Sequence, residues 1–142
     1  GDDETGKKFS GAPGMYSHGK LAIKAMYNQA GLLHLDGSGI AVKGITIRHL
    51  VIPGHAESSM QVLDFLETVD RKNYISLMSQ FHPFRGNYDD KYPELNRTLT
   101  PEEYQRVVDY ANTLGFKNLL LQEMESHRNY LPDFNDETVF KD

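Results

Sequence analysis

The alternation of strand-like and helix-like segments along the chain constrains the fold more than any other feature. Three apolar runs rich in β-forming residues predict strands at 45–52, 74–80 and 117–122. Apolar residues at helical spacing predict helices at 18–30, 58–70 and 101–114. Strands joined by helices form a parallel sheet, because each helix carries the chain back across the sheet. The sequence therefore predicts an α/β fold with about three parallel strands and three helices.

Three strands are too few to close a barrel, since parallel barrels commonly have about eight. The predicted sheet is therefore a small open sheet or a slice of a larger (β/α) TIM-type barrel. The chain of 142 residues is long enough for one domain. The residues DGSG at 36–39 predict a turn. Irregular structure is predicted at 1–17, 82–99 and 124–142.

The third predicted helix has the clearest start signal in the chain. Thr100, Pro101 and Glu103 supply an N-cap, a proline at the first helical position and the glutamate of a capping box. For the second helix, Ser58 or Ser59 is expected to be the N-cap, because short hydroxyl side chains accept from the free N–H groups of a first turn.

Two of the predicted strands each carry one face that is more polar than the other. The first strand and the turn after it read ITIRHLVIPGH, with Arg48 and His49 in the middle. Successive side chains point to opposite faces of a strand, so Arg48 and His49 lie on different faces. In the second strand Ser76, Gln80 and His82 share a face in the same way. The purer apolar face of each strand is expected to pack on the helices.

The mixed face is the predicted ligand face, because α/β proteins bind ligands at the carboxyl ends of their strands. Arg48 suits a bound anion such as a carboxylate. The candidate cofactor-binding residues on this face are Arg48, Ser76, Gln80 and His82. Two alternatives stay open: Arg48 pairs with a nearby carboxylate of the chain, or the face has no ligand. His49, on the helix side, is expected to be structural.

Composition and motif content exclude several classes of function. The net charge of −5 argues against nucleic-acid binding, and no run of 18 apolar residues predicts a membrane span. The six histidines show no HExxH spacing, and GxSxG, GxGxxG and Walker patterns are absent. No metal ligand and no catalytic residue is therefore predicted. A small sugar or phosphate enzyme using Glu123 and Glu125 is the weakest of the alternatives considered.

Several segments together resemble a known family. The stretches IRHLVIPGH, YISLMSQFHP and YPELNRTLTPEEYQRVVDYANTLGFKN, in this order, are similar to the C-terminal half of radical S-adenosylmethionine proteins related to the pyruvate formate-lyase activating enzyme. The upstream KKFSGAPGMYSHGKLAIKAMYNQAG also resembles this family, and the similarity spans about residues 6–135. The combination of SLMSQ and YPELNR is the most specific part of the pattern.

The resemblance implies a partial TIM barrel that binds S-adenosylmethionine and a [4Fe–4S] cluster. Such proteins reductively cleave S-adenosylmethionine to methionine and a 5′-deoxyadenosyl radical. In the activating enzymes this radical takes a hydrogen atom from a glycine of a partner, so a glycyl radical enzyme or another protein substrate is the implied partner. By resemblance, Arg48 lies near the methionyl group of the cofactor and His82 lies near its adenosyl part.

The chain departs from the family where the cluster is bound. The family holds its cluster with a CxxxCxxC motif near the start of the barrel, and this chain has no cysteine. Residues 1–142 are therefore expected to be the C-terminal portion of a longer cytoplasmic protein. The chain alone is expected to be inactive and to bind neither S-adenosylmethionine nor a cluster.

Two further expectations concern partners. A sheet cut from a barrel exposes an edge strand, so self-association of the chain is expected, whereas nucleic-acid and membrane partners are not. The alternative to the radical enzyme is a cluster-less, barrel-derived module that binds a protein through the loop 82–99.

Overall fold

The computed structural model describes residues 1–83 and 92–123. In this part of the chain the elements follow one another in the order α1 (Asp3–Ser10), α2 (Met15–Ala30), β1 (His34–Leu35), β2 (Ala41–Lys43), β3 (Thr46–Leu50), α3 (Ala56–Val69), β4 (Tyr74–Met78), α4 (Pro101–Thr113) and β5 (Asn118–Leu121). A short 3₁₀ helix at Pro93–Asn96 precedes α4.

The three predicted strands form one parallel sheet in the spatial order β3-β4-β5. Arg48 of β3 lies opposite Ser76 of β4, which in turn lies opposite Leu120 of β5. The α/β class and the parallel arrangement are therefore confirmed, although each strand is somewhat shorter than predicted. The sheet of the described residues is open, with β3 and β5 at its edges.

The core lies between one face of this sheet and the helices α3 and α4. Leu63 and Leu66 of α3, Ile75 and Leu77 of β4 and Val107 of α4 are all completely buried. This is the purer apolar face expected from strand alternation. Burial of five such side chains contributes roughly 1.5–3 kcal/mol each to folding before the loss of chain entropy is counted.

The loop predicted over residues 1–17 is wrong, because α1 and the start of α2 fall inside it. Asp2 is the N-cap of α1, and its Oδ1 accepts from the Thr5 N–H at 2.7 Å. Acidic residues in the first turn and lysines in the last turn complement the helix dipole. Gly11 ends the helix with φ 72°, a conformation that glycine adopts without strain. These local signals outweigh the glycines and serines that suggested a loop.

The N-cap predicted for the second helix is also wrong. The helix α3 begins at Ala56 after His55, which makes no side-chain capping hydrogen bond. Ser59 is buried instead, with its hydroxyl at 2.9 Å from Nε2 of His49. The capping box of α4 is confirmed, since Thr100 and Glu103 each accept a hydrogen bond from the backbone N–H of the other.

The DGSG turn is confirmed, and it joins two short antiparallel strands, β1 and β2, that were not predicted. Asp36 Oδ1 accepts from the N–H groups of Ser38 and Ile40 at 2.8 and 2.9 Å. Gly44, just before β3, has φ 102°, and a Cβ there would lie 2.0 Å from the carbonyl oxygen of Leu32. Only glycine fits this approach, which explains the break between β2 and β3.

Candidate functional site

The two faces of the parallel sheet differ in burial, and the less buried one is the candidate site. We call it the open face. Its members alternate along the three strands and are half-buried or exposed: Thr46, Arg48, Leu50, Tyr74, Ser76, Met78, Asn118 and Leu120. The difference is clearest on the central strand β4, where Ser76 and Met78 are half-buried and Ile75 and Leu77, on the opposite face, are completely buried. Polar and apolar side chains that are only half covered lie together on this face, which makes it the face available to a ligand or a partner.

Arg48 and Ser76 lie side by side in the middle of the open face. They are register partners on β3 and β4, so their side chains project from the same face of the sheet. Arg48 is exposed, and within residues 1–83 and 92–123 its guanidinium forms no ion pair. The alternative of a local carboxylate partner therefore finds no support in this part of the chain. A guanidinium without a partner keeps five N–H donors for a ligand.

Gln80 extends the open face beyond the end of β4, where it meets Gln122 from the neighbouring strand. Gln122 Nε2 donates to Gln80 Oε1 at 2.9 Å, and Gln122 Oε1 accepts from the Ser79 N–H at 3.2 Å. Gln122 was not among the predicted site residues. Strand alternation from Asn118 through Leu120 would have placed it on this face.

His82, the fourth candidate, lies in the irregular segment after β4 and is exposed. Among the described residues no hydrogen bond joins it to Arg48, Ser76 or Gln80. The structure thus brings Arg48 next to Ser76 and ties Gln80 to the sheet, while His82 stays at the rim. Residues 84–91 of the loop predicted at 82–99 are outside the described residues, as are Glu125 and the rest of the tail 124–142. The described part of that loop contains the 3₁₀ helix at Pro93–Asn96.

A second polar cluster lies beyond the carboxyl end of β3. Glu94 Oε1 is 2.8 Å from Lys8 Nζ and 3.2 Å from His55 Nε2. The rings of His55 and Phe9 are perpendicular, with their centroids 4.7 Å apart. The Lys8 ammonium, the Glu94 backbone and His55 together lower the pKa of Glu94 to about 2. Lys8 and Glu94 are 86 positions apart, so sequence spacing gave no sign of this pair. The cluster ties α1 to the 3₁₀ helix before α4.

Glu103 connects three segments near the same end of the sheet. Its carboxylate accepts from the Gly54 N–H at 2.7 Å, from both terminal nitrogens of Arg97 at 2.7 Å and from the Thr100 N–H at 3.1 Å. Arg97 and then the backbone donors hold the pKa of Glu103 near 2, well below its usual range. The turn after β3 is therefore fixed by a residue of α4.

His49 and Ser59 form a buried pair on the helix side of the sheet. Burial lowers the pKa of His49 to about 4, with a smaller contribution from the chain's amino terminus. Ser59 is 3% exposed, so a substrate has no path to its hydroxyl. The pair is structural, as the sequence predicted for His49.

The described residues contain no group of three or more histidine, aspartate or glutamate side chains arranged to hold a metal ion. Within the same residues, none of the helices combines the length and the apolar character needed to cross a membrane.

Comparison with known proteins finds a partial match. The "Uncharacterized protein MJ0674" of Methanocaldococcus jannaschii is 33% identical over 69 residues, which are 47% of this chain and 20% of that protein. The chain thus spans about a fifth of the length of this relative. No family model and no solved structure matches the chain. The comparisons establish no family.

Proposed function

We propose that the chain is the S-adenosylmethionine-binding portion of a radical enzyme resembling the pyruvate formate-lyase activating enzyme. The observation that carries the proposal is Arg48, a guanidinium without an ion-pair partner in the described residues, next to Ser76 on the open face of a parallel sheet. Arginine binds carboxylates with two parallel hydrogen bonds, and S-adenosylmethionine carries a carboxylate on its methionyl part. Ser76 and Gln80 add neutral polar groups, and His82 lies at the rim.

The open sheet supports the further proposal of a partial (β/α) barrel. In a barrel the face opposite the helices points inward, which would cover Leu50, Met78 and Leu120 and place Arg48 in the interior. The matched relative is about five times as long as the segment that it shares with this chain. This length is consistent with a longer protein that supplies the other strands of the barrel. The cytoplasm is the proposed compartment.

The chain's residues fit the two implied cofactors unequally. Arg48, Ser76 and Gln80 are suitable for S-adenosylmethionine, an acceptor-rich molecule with a carboxylate. The cluster does not fit, because the sequence has no cysteine and thus no thiolate ligand. The chain's proposed role is therefore to bind and orient S-adenosylmethionine, and the cluster belongs to another part of the longer protein. A glycyl radical enzyme or another protein is the proposed partner.

Anaerobic turnover tests the proposed activity. The longer protein, purified without oxygen, is expected to be brown and to release 5′-deoxyadenosine from S-adenosylmethionine after reduction. A colourless protein that releases none would contradict the proposal.

The alternative function is a cluster-less module that binds a protein. Exposed apolar side chains in the first 43 residues favour it, since Leu21 of α2 is 66% exposed and Ile40 and Val42 around β2 are each 64% exposed. This alternative predicts that S-adenosylmethionine neither binds nor shifts the thermal transition of the longer protein. The same anaerobic preparation therefore distinguishes the two functions.

Self-association of the isolated chain is expected from the open face and from β3 and β5, which are the edge strands of the sheet among the described residues. Size-exclusion chromatography with light scattering should show a mass that increases with protein concentration. Leu120→Lys should shift the chain toward the monomer, because a lysine in the middle of an apolar contact opposes burial. Leu121→Lys is the matched control, since Leu121 is equally exposed on the same strand but on the opposite face. A concentration-independent monomer in the unmodified chain would contradict this expectation.

A further inference from the structure

We propose that Gln122 is a positioning residue that leaves the side-chain N–H donors of Gln80 directed at the ligand. The ligand group that binds beside Gln80 is then a hydrogen-bond acceptor. The inference rests on the proposed function for the identity of the ligand, S-adenosylmethionine, while the orientation of the amide follows from the structure alone.

The orientation follows from one backbone group. The Ser79 N–H is a donor only, so the Gln122 atom that it meets at 3.2 Å is the oxygen of the amide. The other end of the Gln122 amide is therefore its NH₂ group, and this group meets Gln80 at 2.9 Å. A donor there requires the oxygen of Gln80. The Gln80 NH₂ group is then the end of the amide that stays free of protein partners among the described residues.

Around Arg48 and Gln80 the open face therefore offers mainly hydrogen-bond donors. Arg48 offers only donors, Gln80 is held as a donor, and Ser76 adapts to either role. None of the open-face positions on β3, β4 and β5 carries a carboxylate. A carboxylate or a purine ring nitrogen of the ligand would find donors at Arg48 and Gln80, whereas the ligand's ammonium and amine groups need acceptors from elsewhere in the longer protein. Gln80 therefore selects for an acceptor atom of S-adenosylmethionine.

Gln122→Glu on the isolated chain tests the amide orientation by NMR. Both oxygens of the introduced carboxylate accept, so one keeps the bond from Ser79 and the other takes the NH₂ group of Gln80, which reverses the Gln80 amide. The side-chain amide protons of Gln80 should then exchange with water about three to ten times more slowly than in the unmodified chain. Gln29→Glu on α2 adds the same charge elsewhere and should leave the exchange unchanged. Equal exchange rates in the unmodified chain and Gln122→Glu would overturn the proposed orientation.

Affinity measurements on the longer protein test whether the ligand group beside Gln80 is a hydrogen-bond acceptor. Gln80→Leu and Gln122→Glu should each weaken S-adenosylmethionine binding about tenfold, and the double variant should be no weaker than either single one. A further loss in the double variant would show that the new charge acts directly on the ligand, which would overturn the positioning role. Adenosine and methionine, titrated separately, show whether the acceptor is on the purine or is the carboxylate.

Failure of the proposed function has a different signature from failure of this inference. If the unmodified longer protein binds neither S-adenosylmethionine nor adenosine nor methionine, the proposed function and the ligand assignment fall together. The exchange rates of Gln80 still decide the amide orientation in that case. If S-adenosylmethionine binds and Gln80→Leu leaves its affinity unchanged, only the ligand assignment is overturned.

Discussion

Acidification from pH 7 to pH 4 is expected to lower the free energy of unfolding by about 3 kcal/mol through His49 alone. Burial lowers the pKa of His49 in the folded chain to about 4, against an ordinary value of 6.5. The unfolded chain therefore takes up the proton first. The stabilising contribution is complete above pH 6.5 and is lost as the pH falls toward 4.

Chemical denaturation at several pH values, compared with His49→Asn, isolates this effect. Asparagine does not titrate and retains a hydrogen-bonding group near Ser59, so the variant should lose much less stability between pH 6.5 and pH 4.5. Glu94 and Glu103, each with a pKa near 2, contribute mainly below this range. Equal pH dependence in the two proteins would show that His49 is accessible to water in the folded state.

Glu103→Ala is expected to lower the free energy of unfolding by about 2 to 4 kcal/mol, because it removes the carboxylate half of the capping box and several charge-assisted hydrogen bonds together. The Gly54 and Thr100 N–H groups lose their acceptor, and Arg97 loses a bidentate partner. Thermal and urea unfolding provide the measurement. The turn after β3 should also become more accessible to hydrogen exchange.

Glu102→Ala is the matched control, since Glu102 is the neighbouring exposed carboxylate in the same helical turn. Its loss should cost at most about 0.5 kcal/mol. Glu103→Gln should fall between the two alanine variants, because the amide still accepts one or two of the hydrogen bonds. A stability loss in Glu103→Ala no larger than in Glu102→Ala would contradict the role assigned to this carboxylate.

Local sequence signals predicted the sheet well. Strand alternation separated Arg48 from His49, and the structure places them on the exposed and the buried side as expected. The capping box at Thr100 was equally clear, because all of its residues lie within one turn. Helix α1 was missed because its cap and charge signals lie among glycines and serines that also suit a loop.

Local sequence signals could not predict contacts between distant parts of the chain. The Lys8–Glu94 pair joins residues 86 positions apart, and the Gln122 amide meets Ser79 and Gln80 across two strands. Such contacts depend on strand register and on how helices pack, which residue spacing alone does not specify. Strand alternation predicted which face would be the ligand face. The orientation of the Gln80 amide depends on its contact with Gln122 on the neighbouring strand, which alternation does not specify.

Calorimetric titration of S-adenosylmethionine into the longer protein, with and without Arg48→Ala, tests the central proposal directly. The variant should bind about 10 to 100 times more weakly, because the ligand carboxylate loses charge-assisted hydrogen bonds. Arg106→Ala is the control, since Arg106 is an exposed arginine of α4 that pairs with Glu57. Equal affinity in the unmodified protein and Arg48→Ala would contradict the assignment of the open face as the cofactor site.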